Sequence, residues 1–347
     1  MSLNPNSKLY RLSTQWHAFK ALYRLSPREV ENFLKAYEIY DCDWIHGQAV
    51  RDSKNIEYHQ VKESLLDWYG VLNHLCAIGE VEKMYIPPIL DLSANVINNQ
   101  MLFEKKFSKD LGIKSGDKVF EVGCGKGRVA AHIASMTGAE ITAINIDQGQ
   151  LDNAINFAKR NNLAQQCHFQ NADLNDLPYP YADNYFDSIY EIQALSLSRD
   201  LDKLFQELGR ILKPGGKLSL LEWVRLPSYD SQNPHHVELM KHIKPLIGAI
   251  GTPSPVEYEA ALHKAGFDVL ISEDPSINKS QELLFDKAGS YFNNLFPFIN
   301  FLVKIKILPK HFIVLFDRLG KDSEALCEAD RLGLVTTSYH IVAQKRE

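Results

Sequence analysis

The pattern of apolar and polar positions changes character roughly a third of the way along the chain. Up to about residue 105 apolar side chains recur at helical spacing. Ser26-Pro27-Arg28-Glu29 supplies an N-cap and a proline at the first helical position, which predicts a helix through Ala36. Val61 to Ile78, rich in Leu, Trp and Tyr, predicts a second helix, and Ser93 to Phe107 a third. From Lys118 short apolar runs alternate with helical ones, the signature of a parallel, doubly wound sheet. Lys118–Val122, Glu140–Asn145, Cys167–Gln170, Tyr185–Ile192, Lys217–Trp223, Phe267–Ser272 and Ser338–Gln344 read as strands. Gln148–Arg160, Asp200–Leu212 and Val256–Ala265 read as helices, and Lys213-Pro214-Gly215-Gly216 as a turn. A helical insert, about Ser280 to Leu334, precedes the last strand. The expected organisation is a helical cap over residues 1–105, an α/β core over 106–275 and a helical lid with the final strand over 276–347.

The first strand carries the chemistry. Glu121 lies near its end, and Gly123, Gly125 and Gly127 follow at alternate positions before the helical run Val129–Ser135. Glycines there let the backbone turn tightly and approach a ligand without Cβ interference. The spacing is not the Gly-x-Gly-x-x-Gly that seats a pyrophosphate on a helix N-terminus. An acid beside such a loop suits a cationic or amine-bearing nucleotide, of which S-adenosylmethionine is the obvious one. A purely structural glycine turn is the alternative.

Composition narrows the class. With 347 residues, 45% hydrophobic and 23% charged, the chain has the make-up of a soluble globular protein. A net charge of -5 leaves no basic footprint for nucleic acid. The five cysteines, Cys42, Cys76, Cys124, Cys167 and Cys327, share no metal-type spacing and suit free thiols in a reducing compartment. Met1 to Arg11 lacks the apolar core of a signal peptide. No stretch reaches the ~18 uncharged apolar residues of a spanning helix; Tyr291–Val303 is too short and holds Pro297 and three asparagines. A cytoplasmic protein is expected, peripheral at most to a membrane such as the endoplasmic reticulum.

In open α/β sheets ligands bind beyond the carboxyl ends of the strands. Asn145-Ile146-Asp147 follows the second strand, where hydrogen bonds to ribose hydroxyls are needed. Asn171-Ala172-Asp173-Leu174 follows the third, offering Asp173 to an adenine amino group. Glu121 to Gly127, Asp173, Phe186-Asp187 and Leu212-Lys213-Pro214-Gly215-Gly216 together resemble a class I S-adenosylmethionine-dependent methyltransferase. Leu221-Glu222-Trp223-Val224, Tyr229-Asp230, Asn233-Pro234 and Ala265-Gly266-Phe267-Asp268-Val269-Leu270, leading to Ser272-Glu273-Asp274, narrow the resemblance to the sterol methyltransferase family. It covers roughly residues 100 to 275 and weakens beyond Ser280. The resemblance implies an α/β Rossmann-like sheet of seven strands, with the N-terminal helices and the insert covering the substrate. It also implies cofactor contacts from Glu121, Gly123, Cys124, Gly125, Gly127, Asn145, Ile146, Gln150, Ala172, Asp173, Leu174 and Gln193.

The substrate half departs from that family. Its enzymes that methylate the sterol side chain at C-24 carry an aromatic-rich segment, whose ring faces stabilise a carbocation. Here the corresponding stretch, Tyr69 to Ile86, has Cys76, Ile78, Glu80 and Met84 in place of rings and Tyr85 in place of a histidine. Gln193 and Leu197 stand where the family has a glutamate and a histidine, whereas Glu104 and Glu222 match acidic positions. The expectation is therefore a sterol C-methyltransferase acting at the A-ring carbon C-4 through an enol or enolate of a 3-keto sterol. Such a route needs a base, for which His74 and Glu104 are candidates, and oxygen-binding groups, for which Tyr85 and Glu222 are. The alternatives are C-24 methylation, a small-molecule N- or O-methyltransferase using Lys126 and Arg128 for a phosphate, or a non-catalytic sterol- or cofactor-binding protein. His235-His236 is a weak metal pair without a third ligand, and no metal is expected. The insert's apolar residues, from Phe292 through Leu315, suit lid packing; with Lys304, Lys306, Lys310 and Arg318 they also suit a lipid surface. Homo-oligomerisation is the remaining expectation about partners.

Overall fold

The computed structural model describes residues 8–78 and 83–347, with side chains for all of these except 8–11 and 285–294. Glu80 and the side chain of Phe292, both singled out above, lie outside the described residues, as does the stretch before Lys8.

The chain begins with α1 (Lys8–Tyr23) and α2 (Pro27–Ala36). In α2 Ser26 and Glu29 form a reciprocal capping box around Pro27, and Val30, Phe33 and Ala36 make the buried stripe. Three very short strands follow, β1 (Asp43–Ile45), β2 (Gln48–Arg51) and β3 (Lys54–Ile56), and then α3 (Tyr58–Ile78). They form an antiparallel sheet where only helix was expected. Its turns use left-handed backbone at His46-Gly47 and Asp52-Ser53.

From α4 (Val96–Leu111) the alternation read from the sequence appears. Asn95 caps α4 and Gly112 ends it in left-handed conformation. Then come β4 (Lys118–Val122), α5 (Arg128–Thr137), β5 (Glu140–Asn145), α6 (Gln148–Arg160), β6 (Cys167–Asn171), β7 (Phe186–Ile192), α7 (Leu201–Ile211) and β8 (Leu212–Arg225). The expected turn at Lys213–Gly216 is part of β8: Gly215 (φ 71°) accommodates an irregularity in the pairing with β7, and the strand continues. An unforeseen helix, α8 (Pro234–Ile247), precedes α9 (Pro255–Lys264) and β9 (Phe267–Glu273). The insert forms α10 (Glu282–Lys304), α11 (His311–Gly320) and α12 (Ser323–Arg331), and β10 (Val335–Lys345) follows.

The large sheet has seven strands in the order β6-β5-β4-β7-β8-β10-β9. The first five are parallel, and β10 runs antiparallel to both neighbours. Strand order reverses between β4 and β7, so the ends of those strands form the switch point. The core packs Phe120, Val122, Phe186 and Ile189 of the sheet against Leu204, Phe205, Leu208 and Leu262 of helices.

The chain divides into two compact units that do not follow the consecutive blocks expected. A mainly helical unit comprises residues 1–84, 230–250 and 282–332, and the sheet unit comprises 85–229, 251–281 and 333–347. Each unit is thus assembled from three separate segments.

Glu191 is the penultimate residue of β7, and Glu222 lies within β8, one residue beyond the last position that pairs with β7 and opposite Tyr339 of β10. Both are 1% exposed, and their carboxyl groups touch. Glu191 Oε1 accepts the Ala194 N–H, and Glu222 Oε1 accepts the Leu195 N–H at 2.6 Å. Burial raises both groups, Glu222 to about 7 and Glu191, beside it, well above the carboxylate range. Two like charges in contact and away from water cannot both be kept, so the pair shares a proton. A carboxyl raised on folding contributes stability that is complete below its unfolded value and lost as pH rises through its folded one. Thermal stability should therefore fall as pH rises from about 4.5 to 7 and beyond. Glu191→Gln, which keeps the shape and removes one charge, should flatten that decline in melts across pH. An unchanged slope in the variant would refute the shared proton.

Candidate active site

Three chain segments meet at the switch point. The glycine loop leaves β4 with Gly123, Gly125 and Gly127 all at positive φ. Gly123 and Cys124 donate their N–H groups to Ile144 O, Gly125 to Asn145 Oδ1 and Gly127 to Cys124 O. The amide donors of Gly123, Cys124, Gly125 and Gly127 are thus spent within the fold and are not turned together onto an anion. What the loop offers is closeness. A Cβ on Gly123 would meet Ala194 Cβ at 2.6 Å, and one on Gly127 would meet Ala154 Cβ at 2.6 Å and the Phe169 ring at 2.7 Å. At Gly125 the nearest atom would be Gln150 Oε1 at 3.9 Å, so that glycine borders open space. Glu121 is 3% exposed and lies against the Tyr190 hydroxyl. A buried acid beside an open glycine corner fits the ammonium and sulfonium charges of S-adenosylmethionine. It does not fit a polyphosphate.

The expected cofactor residues divide into contacts and braces. Ala172 and Leu174 are half-buried, and Asp173 is buried with Oδ1 accepting the Asn175 N–H at 2.9 Å. Ile146 is half-buried beside them, its carbonyl accepting from Asn171. Asn145, expected to hold ribose, instead spends its amide inside the protein. Its oxygen takes the Gly125 N–H and its nitrogen donates to Gln150 Oε1 at 2.8 Å. Both side chains therefore brace the glycine loop. Gln193 is a second correction: at φ 53° its amide accepts from Ile86 N–H at 3.0 Å and donates to the carbonyls of Ile86 and Thr337. It staples backbone segments together. Burial holds the Cys124 thiol protonated, well above its ordinary range, so it lines the loop without reactivity.

Of the expected catalytic residues, Tyr85 and Glu104 are brought together. The Tyr85 hydroxyl donates to Glu104 Oε1 at 2.7 Å, and Glu104 is fully buried. Burial and that carboxylate push Tyr85 well above its ordinary range, so it stays a donor to Glu104 and is not the oxygen-binding group expected. The other Glu104 oxygen meets His132 Nδ1 on α5, a residue the sequence reading missed. Its one signal was a polar residue inside the apolar run Val129–Ala134. His132 is 24% exposed, with its Nδ1 committed to Glu104. Glu222 belongs to the buried carboxyl pair, and Glu191, its partner, was also missed. His74 is half-buried on α3 in the helical unit.

Two minor readings can be placed. His235 pairs with Glu328 at 2.8 Å and His236 Nδ1 accepts the Asp230 N–H at 3.1 Å; among the described residues no group of three metal ligands occurs. Arg128, a candidate for a phosphate, stacks on Phe157 and bonds Lys126 O and Asn153 Oδ1. The helical unit has a cavity of about 420 Å³, lined by Lys35, Glu38, Arg51, Glu63 and Asp67 among others. Those charges make it unsuited to an apolar ring system.

Comparison with known proteins agrees with this geometry. Residues 120–220 match the model of a methyltransferase domain. The sterol 24-C-methyltransferase ERG6A of Gibberella zeae is 36% identical over 218 residues, which cover 62% of this chain and 54% of that protein. The sterol 24-C-methyltransferase ERG6 of Saccharomyces cerevisiae is 35% identical over 253 residues, covering 71% of this chain and 63% of the relative. The chain thus spans 54% to 63% of the length of these curated relatives. Among solved structures, the cyclopropane synthase MmaA2 of Mycobacterium tuberculosis superposes with a TM-score of 0.61 at 14% identity, over 75% of this chain and 89% of that one, and shares the fold. The chain thus carries a methyltransferase domain over residues 120–220 and is similar, over 62% to 71% of its length, to sterol 24-C-methyltransferases.

Proposed function

We propose that this protein transfers the methyl group of S-adenosylmethionine to a carbon atom of a sterol. The observation that carries the reading is the glycine corner: it is open at Gly125, the amide donors of Gly123, Cys124, Gly125 and Gly127 are satisfied internally, and the buried acid Glu121 stands beside it. When bound, the cofactor supplies an electrophilic methyl group on a sulfonium. Glu121 holds the positive end, and the segment Ala172–Leu174 borders the adenine. Asn145 and Gln150 keep the loop in the shape that admits both.

Methylation at carbon ends with loss of a proton, so a base is required. Glu222 is sealed at 1% exposure and caps the Leu195 N–H, whereas His132 keeps a solvent-touching ring oriented by Glu104. His132 is therefore the proposed acceptor, with Glu104 as its positioning residue. For regiochemistry, the relatives' names support the sterol side chain at C-24, with an alkene as nucleophile, and give no support to the A-ring C-4 position expected from the sequence. One observation keeps C-4 as a second reading. Gln193, at the family's glutamate position, is a neutral backbone staple and leaves no charge there to stabilise a side-chain cation. A phosphorylated-amine substrate is disfavoured because Arg128 is spent on Asn153, Phe157 and Lys126 O.

Incubation with methyl-labelled cofactor and a sterol panel, including side-chain alkenes and 3-keto forms, tests the reading directly. Label in the side chain is the expected result, label at C-4 selects the second reading, and absence of any methylated sterol overturns the proposal. Calorimetry tests the corner itself. Glu121→Gln should weaken cofactor binding by about 10- to 100-fold, the worth of a charge-assisted hydrogen bond. His132→Gln and Glu104→Gln should each lower kcat by roughly 10²-fold or more while cofactor affinity holds, and the double variant should be no worse than either single one. If His132→Gln retains full rate and an unchanged pH profile, the base lies elsewhere.

A further inference from the structure

The helical unit carries an apolar surface that the site does not use. On α10, Phe298, Phe301 and Ile305 recur at spacings of three and four and so share one face, and all three are exposed, while Ile299 beside them is buried. Ile307 in the following turn and Val314 on α11 extend the exposed set. A second strip lies on α1, where Leu12, Trp16 and Tyr23 are exposed. The two strips are joined by rings. Trp16 stacks on Phe19 at 5.9 Å, and Phe19 packs on Phe312 of α11 at 5.6 Å. His311 Nε2 also bonds Leu22 O at 2.8 Å, fixing α11 to the end of α1.

Charge is distributed as unevenly as hydrophobicity. The chain as a whole carries -5, yet residues 8–28 contain no acid and include Lys20, Arg24 and Arg28. Residues 287–316 likewise contain no acid and include Lys304, Lys306 and Lys310; Asp317 is the next one. Lys20 lies over the Trp16 ring at 5.0 Å from its centroid. Exposed Trp, Phe and Ile on stretches whose charged residues are all lysine or arginine match the composition of interfacial helices that lie in the headgroup layer. No described helix is long and apolar enough to cross a membrane, so the fit is to a surface.

We propose that the α1/α10/α11 face of the helical unit docks on an anionic phospholipid bilayer. Trp16, Phe298, Phe301 and Ile307 enter the headgroup boundary, and Lys304, Lys306 and Lys310 meet lipid phosphates and carboxylates. The docking is independent of the methyl-transfer reading, and the test below uses binding alone.

The full chain is mixed with phosphatidylcholine vesicles, with or without phosphatidylserine, and sedimented. Sedimentation with the serine-containing vesicles, weakened by salt, is expected, together with a blue shift of tryptophan emission that Trp16→Gln removes. Phe298→Ser with Phe301→Ser should abolish association. Lys304→Glu and Lys306→Glu should each cost at least about fivefold for the anionic vesicles. Circular dichroism and cofactor binding identify variants that stay folded. Failure to sediment with either vesicle, or folded variants that bind like the parent, overturns the proposal. So does a dimer in analytical ultracentrifugation that the same phenylalanine variants dissociate, because the face would then be covered by a second copy.

Discussion

Everything at the switch point depends on how closely two loops approach. Gly123 after β4 and Ala194 after β7 leave no room for one further methyl group between them. Such contact requires both loops to be held from behind, and each has a dedicated support. The glycine loop rests on Ile144 O and on the Asn145–Gln150 brace. The opposing loop hangs from the two buried carboxyls, which accept the N–H groups of Ala194 and Leu195. Side chains from neighbouring strand ends thus set the shape of the corner, and the glycines fill it because nothing larger can.

The same logic explains why several polar residues expected to touch ligands do not. Buried amides and carboxyls need partners, and the backbone turns around a tight loop provide them. Asn145 and Gln193 satisfy both ends of their amides on the protein, which converts apparent binding groups into structural ones. Glu104 is buried between a phenol and an imidazole. His132 is the member of that trio that solvent reaches.

Much of the sheet was legible in the sequence. β4, β5 and α6 fall on the expected residues, because short apolar runs between turn signals and the Asp147 cap fix them. The glycine loop and Glu121 were legible because their spacing is local. The strands β1 to β3 were not, since three- and four-residue strands on a partly exposed surface carry no period-two pattern. His132 and Glu191 were missed for a different reason. Each acquires its meaning from a partner 28 or more positions away, as with Glu104 for His132 and Glu222 for Glu191. Pairings of that kind are created by topology, which local patterns do not encode. The division into units was illegible for the same reason, each being stitched from three segments.

The sheet's edge has a consequence for biosynthesis. β9 is hydrogen-bonded to β10 alone, and β10 also completes β8. Residues 267–273 therefore leave the ribosome with no strand to pair with, and the whole of α10 to α12 must emerge before residues 335–345 arrive. During that interval β8 presents an unpaired apolar edge, the kind of edge that recruits foreign strands. Nascent chains stalled between residues 273 and 335 would be the aggregation-prone species, and a chaperone that covers one β edge would be their natural escort.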